Sequence, residues 1–245
     1  YSMTKSYDGG VVMTGYSDFN GGNVTVHYGY QDVWLTKVDS AGNLVWQRSY
    51  GGSDDDAAYA VIQTADSGFV IAAETQSSDT DVTDNNGFFD YWVVKLDSSG
   101  NIQWQTTFGG SGWDRANSIR QTSDGGYIVA GYSESNDSDV TVNNGYNDFW
   151  IVRLDSAGTL LWQRSYGGSD DDEANDIQQT FDGGFIVAGT TLSNDSDVTG
   201  HHADYDYWIV KLDSSGNLQW QKDAGGTQED IANSVIQTAD SGYIV

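Results

Sequence analysis

The chain has 245 residues, no cysteine and a formal net charge of −26, from 36 acidic and 10 basic residues. The missing thiols exclude disulfides, cysteine nucleophiles and thiolate metal sites, and the charge argues against binding nucleic acid or inserting into an anionic membrane. Of the acids, 32 are Asp and four are Glu, a bias typical of turns and of calcium loops.

Eight of the nine tryptophans follow a repeat of 58 residues. The first of each pair is Trp34, Trp92, Trp150 or Trp208, and the second, 12 residues later, is Trp46, Trp104, Trp162 or Trp220. A fixed period of this length predicts an array of one supersecondary unit. We divide the chain into repeats at about 1–58, 59–116, 117–174 and 175–232, followed by a partial repeat at 233–245.

Each repeat predicts four short strands. In the third repeat, in chain order, they are expected near 117–122, 127–132, 148–154 and 159–166. Short Gly-containing turns join the first strand to the second and the third to the fourth, and the apolar runs are rich in Val, Ile, Tyr and Trp. This composition leaves no segment that favours a helix.

The predicted fold is therefore all-β. We expect residues 1–245 to form a single β-propeller repeat array of four 58-residue, four-stranded antiparallel blades, plus the 13-residue start of a fifth repeat. Residues 233–245 match residues 1–13 position for position. Two interpretations stay open: the chain is part of a longer array with a larger ring, or its spare strands pair with a neighbouring chain in a strand-exchanged filament.

The candidate for chemistry is a long Asp- and Asn-rich loop between the second and third strands. Three repeats carry oxygen-bearing side chains at loop positions 1, 3, 5 and 7 and Asp at position 12, which suits calcium. They are Asp79, Asp81, Thr83, Asn85 and Asp90; Asp137, Asp139, Thr141, Asn143 and Asp148; and Asp195, Asp197, Thr199 and Asp206, with His201 at position 7. The alternative is a set of Asx-turns and a cap on the third strand. In the first repeat only Asp32 is kept.

Two further charged positions recur with the period. A carboxylate precedes each first strand, and we predict that it bonds to backbone N–H groups; the alternative is a cation-holding ring at the mouth of a channel. A cation lies near the end of each third strand, and we expect it to pair with these carboxylates between repeats. The acids are Asp56, Asp114, Asp172 and Asp230, and the cations are Lys37, Lys95, Arg153 and Lys211.

No catalytic motif is present: there is no nucleophile elbow, phosphate loop or dinucleotide fingerprint. His201 and His202 are either a weak transition-metal site or solvent-exposed side chains. Trp113, which lies outside the period, is either a platform for a sugar ring or a packing residue. N-x-Ser/Thr acceptors in predicted surface loops indicate glycosylation at Asn23, Asn136 and Asn194.

Three segments of the repeat resemble a known family. Gly167–Ala174, Asp182–Gly189 and Asp206–Asn217, together with Ile177, look like the SBBP-type β-propeller repeat of bacterial secreted and cell-surface proteins. The resemblance covers all four repeats and implies first strands that line a central channel.

The expected function is that of a non-enzymatic extracellular or cell-surface β-propeller in a bacterium. It would act as a structural or adhesive scaffold that self-assembles into oligomers or filaments by strand exchange and is stabilised by calcium. The alternative is a carbohydrate-binding or carbohydrate-active (hydrolytic) propeller domain whose ligands are glycans. One cleft at which the repeat symmetry fails would favour this alternative.

Overall fold

The computed structural model describes residues 1–202 and 204–245, which consist of strands, turns and loops. No helix in these residues is long and apolar enough to cross a bilayer. The strands of the first two repeats are β1 (Ser2–Lys5), β2 (Val11–Ser17), β3 (Asp32–Val38), β4 (Leu44–Tyr50), β5 (Asp56–Gln63), β6 (Phe69–Thr75), β7 (Asp90–Leu96) and β8 (Ile102–Phe108). Those that follow are β9 (Asp114–Gln121), β10 (Tyr127–Ser133), β11 (Asp148–Leu154), β12 (Leu160–Tyr166), β13 (Asp172–Gln179), β14 (Phe185–Thr191), β15 (Asp206–Leu212), β16 (Leu218–Ala224), β17 (Ile236–Gln237) and β18 (Tyr243–Ile244).

The predicted four-stranded antiparallel repeats are confirmed. Strands β1 to β4, β5 to β8, β9 to β12 and β13 to β16 form four sheets, each with its strands in chain order, and β17 pairs with β18 in a sheet of two. In the third repeat the strands lie where they were expected, except that β9 begins earlier, at Asp114.

The predicted β-propeller is wrong. Within the two described ranges the four sheets are separate, and none is closed or curled into a propeller. The alternation of apolar and polar residues specifies the pairing within a sheet and the face that is buried. A ring also needs a constant angle between successive sheets, which depends on side-chain packing that the period does not encode. The expected blades are therefore four separate sheets, and the expected central channel has no ring to enclose it.

The chain divides into two compact units, Tyr1–Gln121 and Thr122–Val245. In each unit an apolar cluster joins strands of two sheets. The members include Val33, Leu35, Ile71, Trp92 and Val94 in the first unit, and Phe149, Ile151, Val187, Trp208 and Val210 in the second. Trp92, Trp150 and Trp208 are fully buried on their third strands, whereas Trp34 is half-buried. Burial of such large apolar side chains is the main driving force for folding.

The recurrent cations pair with different acids from those predicted. They contact Asp residues in the turn between the first and second strands of their own sheet, so the expected pairing between repeats is wrong. The distances from nitrogen to Oδ2 are 2.6 Å for Lys37 and Asp8, 2.8 Å for Lys95 and Asp66, 2.6 Å for Arg153 and Asp124, and 3.0 Å for Lys211 and Asp182. Each ion pair ties a hairpin turn to the third strand.

Candidate functional sites at the starts of the third strands

A Trp–Gln–Thr relay holds the middle of each long loop. In the third repeat, Trp150 Nε1 donates to Gln163 Oε1 over 2.9 Å, and Gln163 Nε2 donates to Thr141 Oγ1 over 2.7 Å. The same relay joins Trp34, Gln47 and Thr25; Trp92, Gln105 and Thr83; and Trp208, Gln221 and Thr199. Since the first repeat has the relay without the other loop acids, the threonine at position 5 anchors the loop whether or not those acids are present.

The other early positions of the loop contact different neighbours. Asp79 Oδ1 accepts the Ser53 N–H at 2.8 Å, and Asp195 Oδ1 accepts the Ser169 N–H at 2.8 Å. At position 7, Asn143 Nδ2 donates to the Ser133 carbonyl over 2.9 Å, as Asn85 does to Thr75 over 3.0 Å. In the loop of the third repeat, Asp137 is exposed and Asp139 is half-buried. The oxygens of one loop therefore face separate partners.

The aspartate at position 12 begins the third strand and is fully buried in every repeat. Its Oδ2 accepts the N–H of the residue four positions earlier, which caps the strand as the alternative interpretation expects. The donors are Tyr28 to Asp32 at 2.6 Å, Asn86 to Asp90 at 2.7 Å, Asn144 to Asp148 at 2.7 Å and His202 to Asp206 at 2.8 Å.

The structure brings together carboxylates from successive repeats. A methyl group on Gly167, directly after β12, would overlap both Asp148 Oδ1 and Asp172 Oδ2, so the glycine lets the two acids approach. Asp197 joins them, with Oδ2 3.5 Å from the Gly167 nitrogen. We call such groups carboxylate clusters; the first unit has an equivalent one around Gly51, formed by Asp32, Asp56 and Asp81. Each cluster combines position 12 of one loop with position 3 of the next.

Burial makes these clusters difficult to ionise. It raises the pKa of Asp148 to about 7, and the charges of Asp172 and Asp197 add to the shift. It also raises the pKa of Asp56 to about 7 and that of Asp172 to about 6. Near neutral pH the clusters therefore either keep a proton or gain from a bound cation.

The recurrent acids before the first strands make the structural bonds predicted for them. Asp172 Oδ2 accepts the Gly168 N–H at 2.7 Å and the Ser193 hydroxyl at 2.8 Å. Asp56 accepts equivalent bonds from Gly52 and Ser77 at 2.8 Å and 2.9 Å. These bonds oppose the effect of burial on the pKa but do not cancel it.

The fourth repeat surrounds its aspartate differently. One donor atom from each of His201, Asp206 and Asp223 lies within 4.8 Å of the others. His201 Nδ1 is 3.4 Å from Asp206 Oδ2, and His202 Nδ1 is 3.0 Å from that oxygen and 3.4 Å from Asp223 Oδ1. Asp223 was not among the residues predicted from the sequence, although Ser49, Thr107 and Ser165 occupy its place in the other repeats. The change from a hydroxyl side chain to a carboxylate at this position is the sequence feature that could have identified Asp223.

A cavity of about 340 Å³ opens in the second unit. It is lined by Glu173, Asn175, Thr190, Tyr205, Glu229, Ile231 and Asn233, and so holds two of the four glutamates.

In the first unit the equivalent positions hold packed side chains. Trp113 stacks on Phe89 with ring centroids 5.1 Å apart, and its Nε1 donates to Glu74 Oε2 over 3.0 Å. Packing therefore accounts for the tryptophan outside the period. The glycosylation acceptors Asn23, Asn136 and Asn194 are exposed in loops.

No family model matches the chain. It is 25% identical over 197 residues to the regulatory protein FlaEY of Caulobacter vibrioides, an alignment that covers 75% of this chain and 20% of that protein. The chain thus spans about a fifth of that relative. A crystal structure of a protein of unknown function from Bacteroides caccae aligns with a TM-score of 0.46 and 12% identity, covering 91% of this chain and 81% of that one. The fold itself is an all-β repeat of four-stranded antiparallel sheets.

Proposed function

We propose that the chain is a non-enzymatic scaffold on the outside of a bacterial cell, with a structural or adhesive role. The observation that carries the proposal is the Trp–Gln–Thr relay, which all four repeats contain. The recurring polar side chains serve internal bonds, as in proteins whose repeats provide an extended surface. The resemblance to the SBBP-type repeat of bacterial secreted and cell-surface proteins supports the location, and the net charge of −26 suits an exposed, well-solvated surface.

Calcium binding at the carboxylate clusters is part of this proposal. Among the described residues, Asp32 Oδ1 and Asp148 Oδ1 are buried and have no hydrogen-bond partner. Each lies beside the same glycine as a carboxylate of the following sheet, Asp56 or Asp172. Calcium prefers such hard oxygen ligands. A bound ion would offset the burial of Asp148 and its repulsion from Asp172 and Asp197, which together raise its pKa.

Thermal unfolding at pH 7.5 with calcium and with a chelator tests this part. Calcium should raise the melting temperature, because it binds the folded state preferentially. The double variant Asp32→Asn/Asp148→Asn should lose most of the response, whereas Asp18→Asn, on an exposed loop outside the clusters, should keep it. An unchanged midpoint in the native protein would exclude calcium stabilisation.

Self-association through an open strand edge is the other part. Among the described strands, β18 pairs only with β17, and Ile236 and Ile244 are exposed there. A strand with free backbone groups can accept a strand from another chain.

Sedimentation velocity over a range of concentrations tests assembly. We expect larger species for the native chain and fewer for Ile244→Lys, because a charge on an edge strand opposes pairing. Leu161→Lys, an exposed position on β12, is the matched control. Dispersed monomers at every concentration of the native chain would exclude assembly.

A carbohydrate-binding role is the second candidate, and the cavity in the second unit favours it. Tyr205 offers an aromatic face, and Glu173, Glu229 and Asn175 offer hydrogen-bonding groups within the same space. Screening against a glycan array should find a ligand whose affinity falls in Tyr205→Ala and Glu229→Gln. Glu134→Gln, which lies outside the cavity, should bind normally. Binding that persists in both cavity variants would place the ligand elsewhere.

A further inference from the structure

The fourth repeat departs from the second and third repeats at three positions that meet at one point. His201 and His202 replace Asn143 and Asn144 of the third repeat, and Asp223 replaces Ser165. All three lie next to Asp206, which the third repeat matches with Asp148. A repeat whose structural residues are otherwise preserved has thus gained two imidazoles and a carboxylate around one buried acid.

Asp223 has a charged contact with His202 Nδ1 at 3.4 Å but lacks the hydrogen bonds that a buried carboxylate normally accepts. Its side chain is only 1% exposed, and neither oxygen has a hydrogen-bond partner among the described residues. Asp206 Oδ1 and His201 Nδ1 are likewise buried and lack such partners. Buried polar atoms are normally satisfied, so four unsatisfied atoms around one point indicate that something binds between them. Since two carboxylates repel each other, a cation is the complementary ligand.

The spacing suits a small cation with mixed nitrogen and oxygen ligands. Zinc binds imidazole nitrogen at 2.0–2.1 Å and carboxylate oxygen at 2.0–2.2 Å, so neighbouring ligands around a tetrahedral ion lie about 3.4 Å apart. His201 Nδ1 and Asp206 Oδ2 are 3.4 Å apart. The donor atoms of all three residues lie within 4.8 Å of one another.

We propose that His201, Asp206 and Asp223 bind one divalent transition-metal ion of the zinc type. His201 contributes Nδ1 and each aspartate contributes one oxygen, with water completing the coordination. His202, whose side chain is 49% exposed, contacts both carboxylates from the solvent side and orients them. An imidazole ligand favours zinc over calcium, which separates this site from the carboxylate clusters.

The histidine ring signals of the native chain give a first test. His27, the remaining histidine of the three in the sequence, lies in the other unit and serves as an internal reference. The protein is titrated with zinc chloride in excess calcium, which occupies hard-oxygen sites, and followed by NMR. The His201 ring signals should shift and reach their final position at one equivalent of zinc, while those of His27 stay unchanged. Equal shifts at both histidines, or none at His201, would overturn the proposal, and this result does not depend on any variant folding.

The other repeats supply substitutions that the fold already accommodates. His201→Asn introduces the residue found at Asn85 and Asn143, and Asp223→Ser introduces that found at Ser49 and Ser165. Each should lower the zinc affinity measured by calorimetry at least about tenfold, while melting without metal shows that the chain still folds. Unchanged affinity in either variant would overturn the proposal.

The third repeat provides the matched control. Asn143→His alone should leave the zinc affinity and stoichiometry unchanged, because Ser165 offers no carboxylate. His27 occupies the corresponding position of the first repeat and contacts the Ser17 carbonyl at 3.0 Å, so a histidine fits there. The double variant Asn143→His/Ser165→Asp should raise the stoichiometry from one zinc ion to two, which would show that these positions suffice.

Discussion

The third and fourth repeats place an aspartate at the same point of the fold and shift its pKa in opposite directions. Burial and the nearby acids raise the pKa of Asp148 to about 7. Burial would also raise the pKa of Asp206, but hydrogen bonds from His202 and the charges of both histidines lower it instead. The strands that these two acids begin pair in the same register, and the side chains around each acid differ. Small changes in sequence thus alter the chemistry of a repeat without altering its scaffold.

The largest expected effect lies in the part that the two repeats share. Trp150→Ala and Trp208→Ala each remove a fully buried side chain and should each lower the free energy of unfolding by about 3–5 kcal/mol. Urea denaturation measures both. Trp220→Ala, on the outer strand and 37% exposed, should cost clearly less. A large difference between Trp150 and Trp208 would show that the two repeats do not share the same packing.

The pH dependence of the stability of the native chain tests whether acids with a raised pKa, such as Asp148, control how that stability changes with pH. An acid whose pKa is raised by folding contributes its full stabilisation below the pKa it has in the unfolded chain, near 4. For Asp56, Asp148 and Asp172 this contribution is lost as the pH rises through their folded pKa values of about 6–7. In the opposite sense, hydrogen bonds from Thr180 and Lys211 lower the pKa of Asp182 to about 2, so its contribution is lost in strong acid.

Stability should therefore be greatest at about pH 4–5 and fall by about 3 kcal/mol towards pH 8. Denaturation in the presence of a chelator, repeated across this range, measures the profile. Calcium should flatten the decline if it occupies the clusters. A maximum at neutral pH without metal would contradict the raised pKa values.

One substitution made in both repeats should have opposite effects. Asp148→Asn cannot ionise, so it should stabilise the chain by about 2 kcal/mol at pH 8, roughly half of what the pKa shift allows, and have little effect near pH 4. Asp206→Asn should lower the melting temperature near pH 6, because it removes the hydrogen bonds and ion pairs with His202. Melting curves at the three pH values check both variants. The same sign in both would remove the distinction between the repeats.

The strands could be predicted because their signals are local. The turn glycines and the runs around the tryptophans predicted β10, β11 and β12 to within a residue. The arrangement of the sheets could not be predicted, because the period describes one repeat and not the angle to the next.

Sites formed by residues that are distant in the sequence could not be predicted, for a similar reason. Asp148, Asp172 and Asp197 belong to different loops and strands, whereas the spacing within one loop suggested a ligand set there. Asp223 was visible as a departure from serine. Its proximity to Asp206 follows from the register that pairs Trp208 with Asp223, which the sequence alone does not show.

The smallest expected effect lies at the end of the relay. Thr141→Val keeps the shape of the side chain but removes the oxygen that accepts from Gln163 Nε2, and the glutamine is buried, so its donor would remain unsatisfied. The loss should be about 1 kcal/mol. Thr199→Val should cost less, because Gln221 is half-buried, can reach water, and also lies 3.4 Å from the Thr199 carbonyl. Denaturation of the two variants side by side measures the difference. An equal cost would mean that burial of the glutamine does not set the strength of the relay, and that the two repeats differ only around Asp148 and Asp206.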